Sequence, residues 1–400
     1  MEADIVESRL TAPVGAGNRD ESNAIARLFL RLGLTAFGGP AAHIAMMETE
    51  VVTRRGWMTR AEFLDLLGVV QVLPGPNSTE LAIHVGHARG GWHGGLIAGC
   101  CFVLPSVALV WLLALLSGAP GMAGASRTVL WWLAPMVVAV VGEALWKFGK
   151  QAAMRPSAVM VMPVTALAAV MLPSDLLVLL TGAVAAMLLG APRTRDVAGA
   201  AGMAVVTLLG AGPLAAQVAM GGVAPSVAAI FLYFLRAGMS VFGSGYVLLA
   251  YLQRDLVTGR GWLTMDALLQ ASALAQVTPG PLFTTATAVG YAMGGSAGAM
   301  AATVGIFAPA FASVVVGAPV RRLLDRSPMA RRALDGVVIA SVALLGRAVV
   351  GFAMPLQAWQ WALCLGAAVL LFAVRVSATW LLLASVLAGV AASVLHFSLS

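Results

Sequence analysis

Gln71-Val72-Leu73-Pro74-Gly75-Pro76 decides how this chain is read, because it returns 205 residues later as Gln276-Val277-Thr278-Pro279-Gly280-Pro281. The same offset carries Phe37-Gly38 onto Phe242-Gly243, Arg31 onto Arg236, Glu50 onto Asp255 and Gly56-Trp57 onto Gly261-Trp262. Five matches at one spacing make a tandem duplication, the period to look for before any other pattern. In both copies the Pro-Gly-Pro stands where one apolar run stops and the next begins. That is the pattern of a discontinuous membrane helix, on which transporters place their substrate.

Composition sets the class. Hydrophobic residues make up 60% of the chain and charged residues 10%, where a soluble domain carries about 25% charged residues. The expectation is an all-α polytopic membrane protein. The 24 Lys and Arg outnumber the 17 Asp and Glu, but they gather in short loops, as topology signals do. They form no basic stripe for nucleic acid. Cys100, Cys101 and Cys364 lie inside apolar runs and read as small core residues. Residues 1–22 are polar without an apolar h-region, so they read as a cytoplasmic tail and not as a cleaved leader.

A span needs about 20 apolar residues. The first copy, 23–196, offers 24–47, a broken 61–90, 93–117, 128–148, 157–173 and 175–191. The second, 225–400, offers 226–252, a broken 266–295, 297–319, 333–353, 357–374 and 377–396. Residues 197–235 hold no charge, which places a connecting span at about 197–220 within a linker of 197–224. The expected total is about 13 transmembrane helices in two repeats. Six spans and a connector would insert the second copy upside down. Loop charge agrees: 118–126 is neutral before Arg127, while its counterpart near 320–335 holds Arg321, Arg322, Arg326, Arg331 and Arg332. Lys147, Lys150 and Arg155 face a neutral 351–360, and Arg193 and Arg195 face a neutral C-terminus. The Arg375 loop answers one whose charge is Asp175. Inverted topology accounts for all four pairs, with the N-terminus inside and the C-terminus outside. Residues 48–65 disobey, holding Arg54, Arg55 and Arg60 among acidic residues. Whether 61–90 and 266–295 cross the bilayer or return as re-entrant hairpins stays open.

Several motifs are candidates for chemistry. After Pro74-Gly75-Pro76, Asn77 and Glu80 have capping-box spacing, so a helix N-terminus with unsatisfied amides and a partial positive charge is expected at membrane depth. Thr284 and Thr285 follow the second Pro-Gly-Pro. The bland alternative is a kinked, packed helix. Phe37-Gly38-Gly39-Pro40 and Phe242-Gly243-Ser244-Gly245 fall mid-span, either packing helices closely or lining the substrate path. Arg236 lies between apolar segments, and an intramembrane arginine needs a partner; an oxyanion suits the guanidinium fork. Arg31 sits nearer its helix start and could snorkel. Glu80 and His84 share a face at i and i+4, as a proton relay or as a cap and a core histidine. Glu143 aligns with Arg347 and is a candidate salt bridge between the copies. Trp57 and Trp262 suit the lipid interface, and Thr59 and Thr264 suit helix caps. His84, His87 and His93 share no helical face, so no metal is expected.

Phe-Gly-Gly-Pro, then Gly-Trp-Met-Thr, then Gln-x-x-Pro-Gly-Pro-Asn, repeated in degenerate form, resembles the chromate ion transporter family in its long, two-domain type, over about residues 24–396. The resemblance implies export of chromate from the cytoplasm across the plasma membrane, with resistance as the result. It carries the family motif onto Phe37, Gly38, Gly39, Pro40, Gln71, Pro74, Gly75, Pro76 and Asn77, and onto Phe242, Gly243, Gln276, Pro279, Gly280 and Pro281. The second copy departs at Ser244-Gly245 and lacks the Asn after Pro-Gly-Pro. The partners expected are the lipid bilayer and a chromate or sulfate-like oxyanion, without cofactor or nucleic acid; a homo-oligomer is compatible. A sulfate carrier is the alternative within the class. A lipid-phosphate enzyme lacks a nucleophile–base pair, paired carboxylates or a P-loop to support it.

Overall fold

A computed structural model describes residues 19–37, 39–71, 73–117, 123–155, 157–172, 175–189, 225–242 and 245–399. The connecting span expected at 197–220, most of the 1–22 tail, Gly38 and Gly243 lie outside the described residues. The described residues are helical, without strands.

The first copy runs α1 (Arg19–Thr35), α2 (Pro40–Glu48) continued by a π turn over Thr49–Arg54, α3 (Arg60–Val70), α4 (Asn77–Ser117), α5 (Ala123–Ala153), α6 (Ala158–Met171) and α7 (Asp175–Leu189). The second runs α8 (Val227–Ser240), α9 (Gly245–Leu252) with its π turn Gln253–Gly259, α10 (Met265–Val277), a 3-10 turn Leu282–Thr284 leading into α11 (Thr285–Arg326), then α12 (Pro328–Ala353), α13 (Ala358–Val369) extended by a π turn to Val374, and α14 (Ala378–Leu399). The order of α-helices is the same in both, with a π turn after α2 and after α9; the 3-10 turn and the π turn after α13 occur in the second copy.

Local chemistry explains the breaks. In α1, Asp20 and Glu21 in the first turn oppose the helix dipole, and Ile25, Leu28, Phe29 and Leu32 form one buried face at helical spacing against α4. The expected span 24–47 is therefore two helices. Gly39, with φ of 82°, and Pro40 in the first turn of α2 enforce the interruption. Thr59 caps α3 in a capping box with Glu62, and the Thr264 hydroxyl accepts from the Ala267 amide at the start of α10, as expected of both.

The expected boundary between 61–90 and 93–117 falls inside α4. Gly90 and Gly91 leave helical geometry there, as Gly294 and Gly295 do in α11. Gly91 and Gly295 both take φ of 59°. Around the bend Gly86 and Gly94 touch backbone to backbone, as do Gly290 and Gly298, with no room for a Cβ on any of them. Residues eight apart on a straight helix would stand about 12 Å apart, so each helix doubles back on itself.

The two copies interlock. α5 packs on α14 and α13, while α12 packs on α7 and α6. Gly182 of α7 meets Gly336 of α12 at backbone contact, and Ser385 of α14 donates to the Trp132 carbonyl of α5 at 2.8 Å. Small residues let helices approach this closely.

Among the described residues four helices are, by length and composition, long and apolar enough to cross a membrane: Asn77–Ser117, Trp131–Ala153, Leu282–Gly317 and Pro328–Ala353. Five shorter apolar helices accompany them among the described residues. The expected spans at 24–47 and 226–252 are thus each two shorter helices, and the expected breaks within 61–90 and 266–295 fall at the two Pro-Gly-Pro turns.

Candidate functional site

The two Pro-Gly-Pro turns meet the two Phe-Gly breaks of the opposite copies. Gly75 donates its amide to the Val241 carbonyl at 2.8 Å, and Gly280 donates to the Ala36 carbonyl at 2.9 Å. The donors are 205 residues apart and so are the acceptors. The contact is therefore reciprocal, as across a pseudo-twofold axis. Inside a bilayer a broken helix has to find partners for its freed backbone groups, and each copy supplies what the other lacks. Pro74, Gly75 and Pro76 of one copy thereby cross the break before Phe242 of the other, and Pro279, Gly280 and Pro281 cross the break before Phe37.

Both glycines hold backbone that L-residues rarely adopt, with φ of 137° at Gly75 and 102° at Gly280. A Cβ on Gly280 would stand 2.6 Å from the Ser106 Cβ. Ser106 in turn donates to the Thr284 hydroxyl at 3.2 Å, a buried bond between the copies. Gln71 is exposed at the end of α3, whereas Gln276 is buried and donates to the Ser272 carbonyl at 3.2 Å. The copies are thus alike in backbone and unlike in side chains.

The first copy concentrates polar groups at the crossing. The Ala36 carbonyl that accepts from Gly280 also accepts from His43 Nε2, at 3.1 Å. His43 is buried, and its Nδ1 has no hydrogen-bond partner. Its counterpart, Leu248, is apolar. His84, buried, bonds the Ser313 hydroxyl of α11 at 3.2 Å. Asn77 and Glu80 do not form the expected capping box: Asn77 Oδ1 and both Glu80 carboxylate oxygens have no hydrogen-bond partner. The chain turns at Gly75 in a way that leaves the Glu80 amide on the Pro76 carbonyl, at 3.0 Å. Its carboxylate lies against Gly75 instead.

Arg31 and Arg236 each precede by five residues the carbonyl that takes part in the reciprocal bond. Arg31 is paired with Glu50 at 2.5 Å, and Glu50 also binds Arg54 at 2.6 Å. Burial by itself would raise the Glu50 carboxyl, but the hydrogen bonds and charges of Arg31 and Arg54 outweigh it and hold the group below its ordinary range. These residues line a cavity of 440 Å³ with Leu32, Thr35, Ala45, Met46 and Thr49. Arg236 is exposed and has no ion-pair partner among the described residues.

The expected bridge between Glu143 and Arg347 is not formed. Glu143 pairs with Lys147 one turn along α5, at 2.6 Å. Arg347 instead binds Asp175 at the start of α7 and donates to the Ala169 carbonyl at 2.8 Å. Arg254 shares the same Asp175 oxygen and donates to the Leu172 carbonyl at 3.1 Å. Alignment put Glu143 and Arg347 at equivalent positions, but equivalent positions face each other only near the axis. Asp255 lies beside this cluster. Burial first, then the charge of Asp175, raises its carboxyl to about 6 against the pull of Arg260, Arg254 and Arg347. Trp57 and Trp262 are half-buried and stack under arginines: Arg55 lies 5.3 Å from the Trp57 ring and Arg260 4.7 Å from Trp262.

Sequence reasoning passed over His43, Ser106, Ser313 and Arg254. His43 left a usable signal, a lone titratable residue within an apolar helix. The others each meet a partner supplied by the opposite copy: Ser106 meets Thr284, Ser313 meets His84 and Arg254 meets Asp175.

Two interlocked sets of apolar helices, each interrupted where it bonds the other, define a multi-pass membrane protein of transporter type. The chain belongs to the chromate transporter family, whose model matches residues 23–191 and 228–390. It is 33% identical over 332 residues to the chromate transport protein of Pseudomonas aeruginosa, covering 81% of this chain and 79% of the relative. It is 28% identical over 340 residues to a probable chromate transport protein of Synechococcus elongatus, covering 82% and 83%. A chromate transport protein of Cupriavidus metallidurans is 28% identical over 328 residues, 80% of each. No solved structure matches the chain. Chromate transport therefore follows from family membership, and the breaks lie within the two matched regions.

Proposed function

We propose that the protein is a secondary transporter of the plasma membrane that exports chromate from the cytoplasm and so confers resistance. The two repeats insert with opposite topology, the N-terminus on the cytoplasmic side and the C-terminus outside. The anion is bound at the crossing of the Pro-Gly-Pro turns and Phe-Gly breaks, with Arg31 and Arg236 drawing it in from the two sides.

The observation that carries this reading is the reciprocal pair of bonds, Gly75 to Val241 and Gly280 to Ala36. It supports the reading because each turn is tied to a break of the other copy among interrupted helices, where a small anion can be held by backbone dipoles. Arg31 bound to Glu50 is an anion site already holding a carboxylate, and Arg236 offers the same guanidinium fork with no described counter-charge. Contrasting charge in four pairs of equivalent loops, three basic against neutral and one basic against acidic, supports the inverted insertion.

The test is uptake of labelled chromate into inverted membrane vesicles, with sulfate as competitor, for wild type and Arg236→Gln. Wild-type vesicles should accumulate chromate, and the variant should lose at least tenfold of the initial rate at equal expression. Equal uptake by both dismisses the arginine. Stronger uptake of sulfate than of chromate replaces the substrate.

A further inference from the structure

The first copy holds a buried acid that the second does not. Glu80 lies in the first turn of α4 and is fully buried. Neither of its oxygens has a hydrogen-bond partner, and a Cβ on Gly75 would stand 2.5 Å from Oε1, so the carboxyl is aimed back at the Pro-Gly-Pro turn. At the aligned position Thr285 occupies its hydroxyl locally, donating to the Leu282 carbonyl at 2.7 Å. A helix N-terminus and an unpartnered, wholly buried acid therefore share one spot.

We propose that Glu80 is a proton-binding site linked to the anion: a tetrahedral dianion seated at the crossing binds together with one proton on the Glu80 carboxyl. This rests on the crossing being the substrate site. An ionised carboxylate without donors is strongly disfavoured in a membrane interior, and a dianion beside it would disfavour ionisation further. By linkage, whatever the anion does to proton affinity the proton does to anion affinity. Where pH exceeds the acid's own value in the empty site, the proton comes from water as the anion enters, forms the O–H bond on Glu80, and returns to water as the anion leaves; below it the acid is already neutral and the anion binds without proton exchange. No other bond changes.

Other groups do not take this role. His84, one turn along α4, is held by Ser313. Arg31 of α1 is held by Glu50, and His43 of α2 by Ala36. α3 carries Asp65 on its exposed face, α8 carries the exposed Arg236, α10 carries Asp266 in its first turn, and α11 meets this part of α4 with the Ser313 hydroxyl.

The test uses the purified full-length chain in detergent, with chromate as the probe. Affinity is measured at steps from roughly pH 6 to pH 9 for wild type and Glu80→Gln, which imitates the protonated acid. Protonation of chromate itself is common to both, so the ratio of the two affinities isolates Glu80. The wild type should weaken relative to the variant as pH rises, approaching tenfold per unit at the alkaline end. A constant ratio overturns the proposal. Proton uptake on chromate addition to the wild type in weak buffer, stepped from about pH 8 to pH 10, needs no variant. A rise towards one proton per bound anion supports the linkage, and none at any step overturns it. Wild-type protein that binds no chromate at any pH removes the substrate site itself, and this inference with it.

Discussion

Gly280 donates its amide to Ala36 at 2.9 Å, and the bond is matched 205 residues earlier by Gly75 and Val241 at 2.8 Å. Each bond joins a turn of one copy to a helix break of the other, so neither copy can complete its backbone pairing alone.

The first prediction concerns these glycines. Gly280→Ala needs φ near 102° and brings a methyl 2.6 Å from the Ser106 Cβ. It should lower stability by at least about 1–3 kcal/mol, read as a drop in melting temperature in detergent. Gly56→Ala is a control: its φ of 59° strains a side chain, but nothing lies within 4 Å. It should fall by only about 1–2 kcal/mol. Equal losses would show that the crossing is no tighter than a surface turn.

A second prediction separates two acids. Asp175 is 4% exposed at its side chain and holds both Arg254 and Arg347. Asp175→Asn leaves two partly buried cations short of a partner, and should cost about 3 kcal/mol or more. Glu143→Gln breaks a single i,i+4 pair with an exposed lysine, worth about 0.5 kcal/mol. Chemical denaturation of each variant measures both. Reversing Glu143 and Arg347 together should restore nothing that Arg347→Glu alone loses.

Third, Asp255 makes stability depend on pH. In the turn after α9 its carboxyl is raised from 3.8 to about 6. The folded chain thus keeps a proton that the unfolded chain has released between those values. The stabilising contribution is complete below pH 3.8 and is lost as pH rises through about 6, an effect of order 2–3 kcal/mol. Melting temperature followed across this window should fall less steeply with rising pH in Asp255→Asn than in wild type. Identical slopes would mean that Asp255 titrates normally.

A fourth prediction addresses insertion. With Cys100, Cys101 and Cys364 replaced by alanine, single cysteines at positions 120 and 329 should react with impermeant reagent from opposite sides of the membrane. Labelling from the same side would reject inverted topology.

The sequence by itself determined the duplication, the membrane class and the positions of the breaks. These are local matters: proline removes an amide, glycine permits φ of 82° or 137°, and hydropathy registers over a single helix. The capping residues Thr59 and Thr264 were legible for the same reason. What only the tertiary structure decided is which copy satisfies which group. Alignment paired Glu143 with Arg347, yet Asp175 takes the arginine because α7 packs along α12. The Glu80 carboxyl lost its expected role as a cap because the chain turns at Gly75 and buries it there without a donor. Partner choice depends on how helices far apart in the chain cross, and no local pattern of residues encodes that crossing.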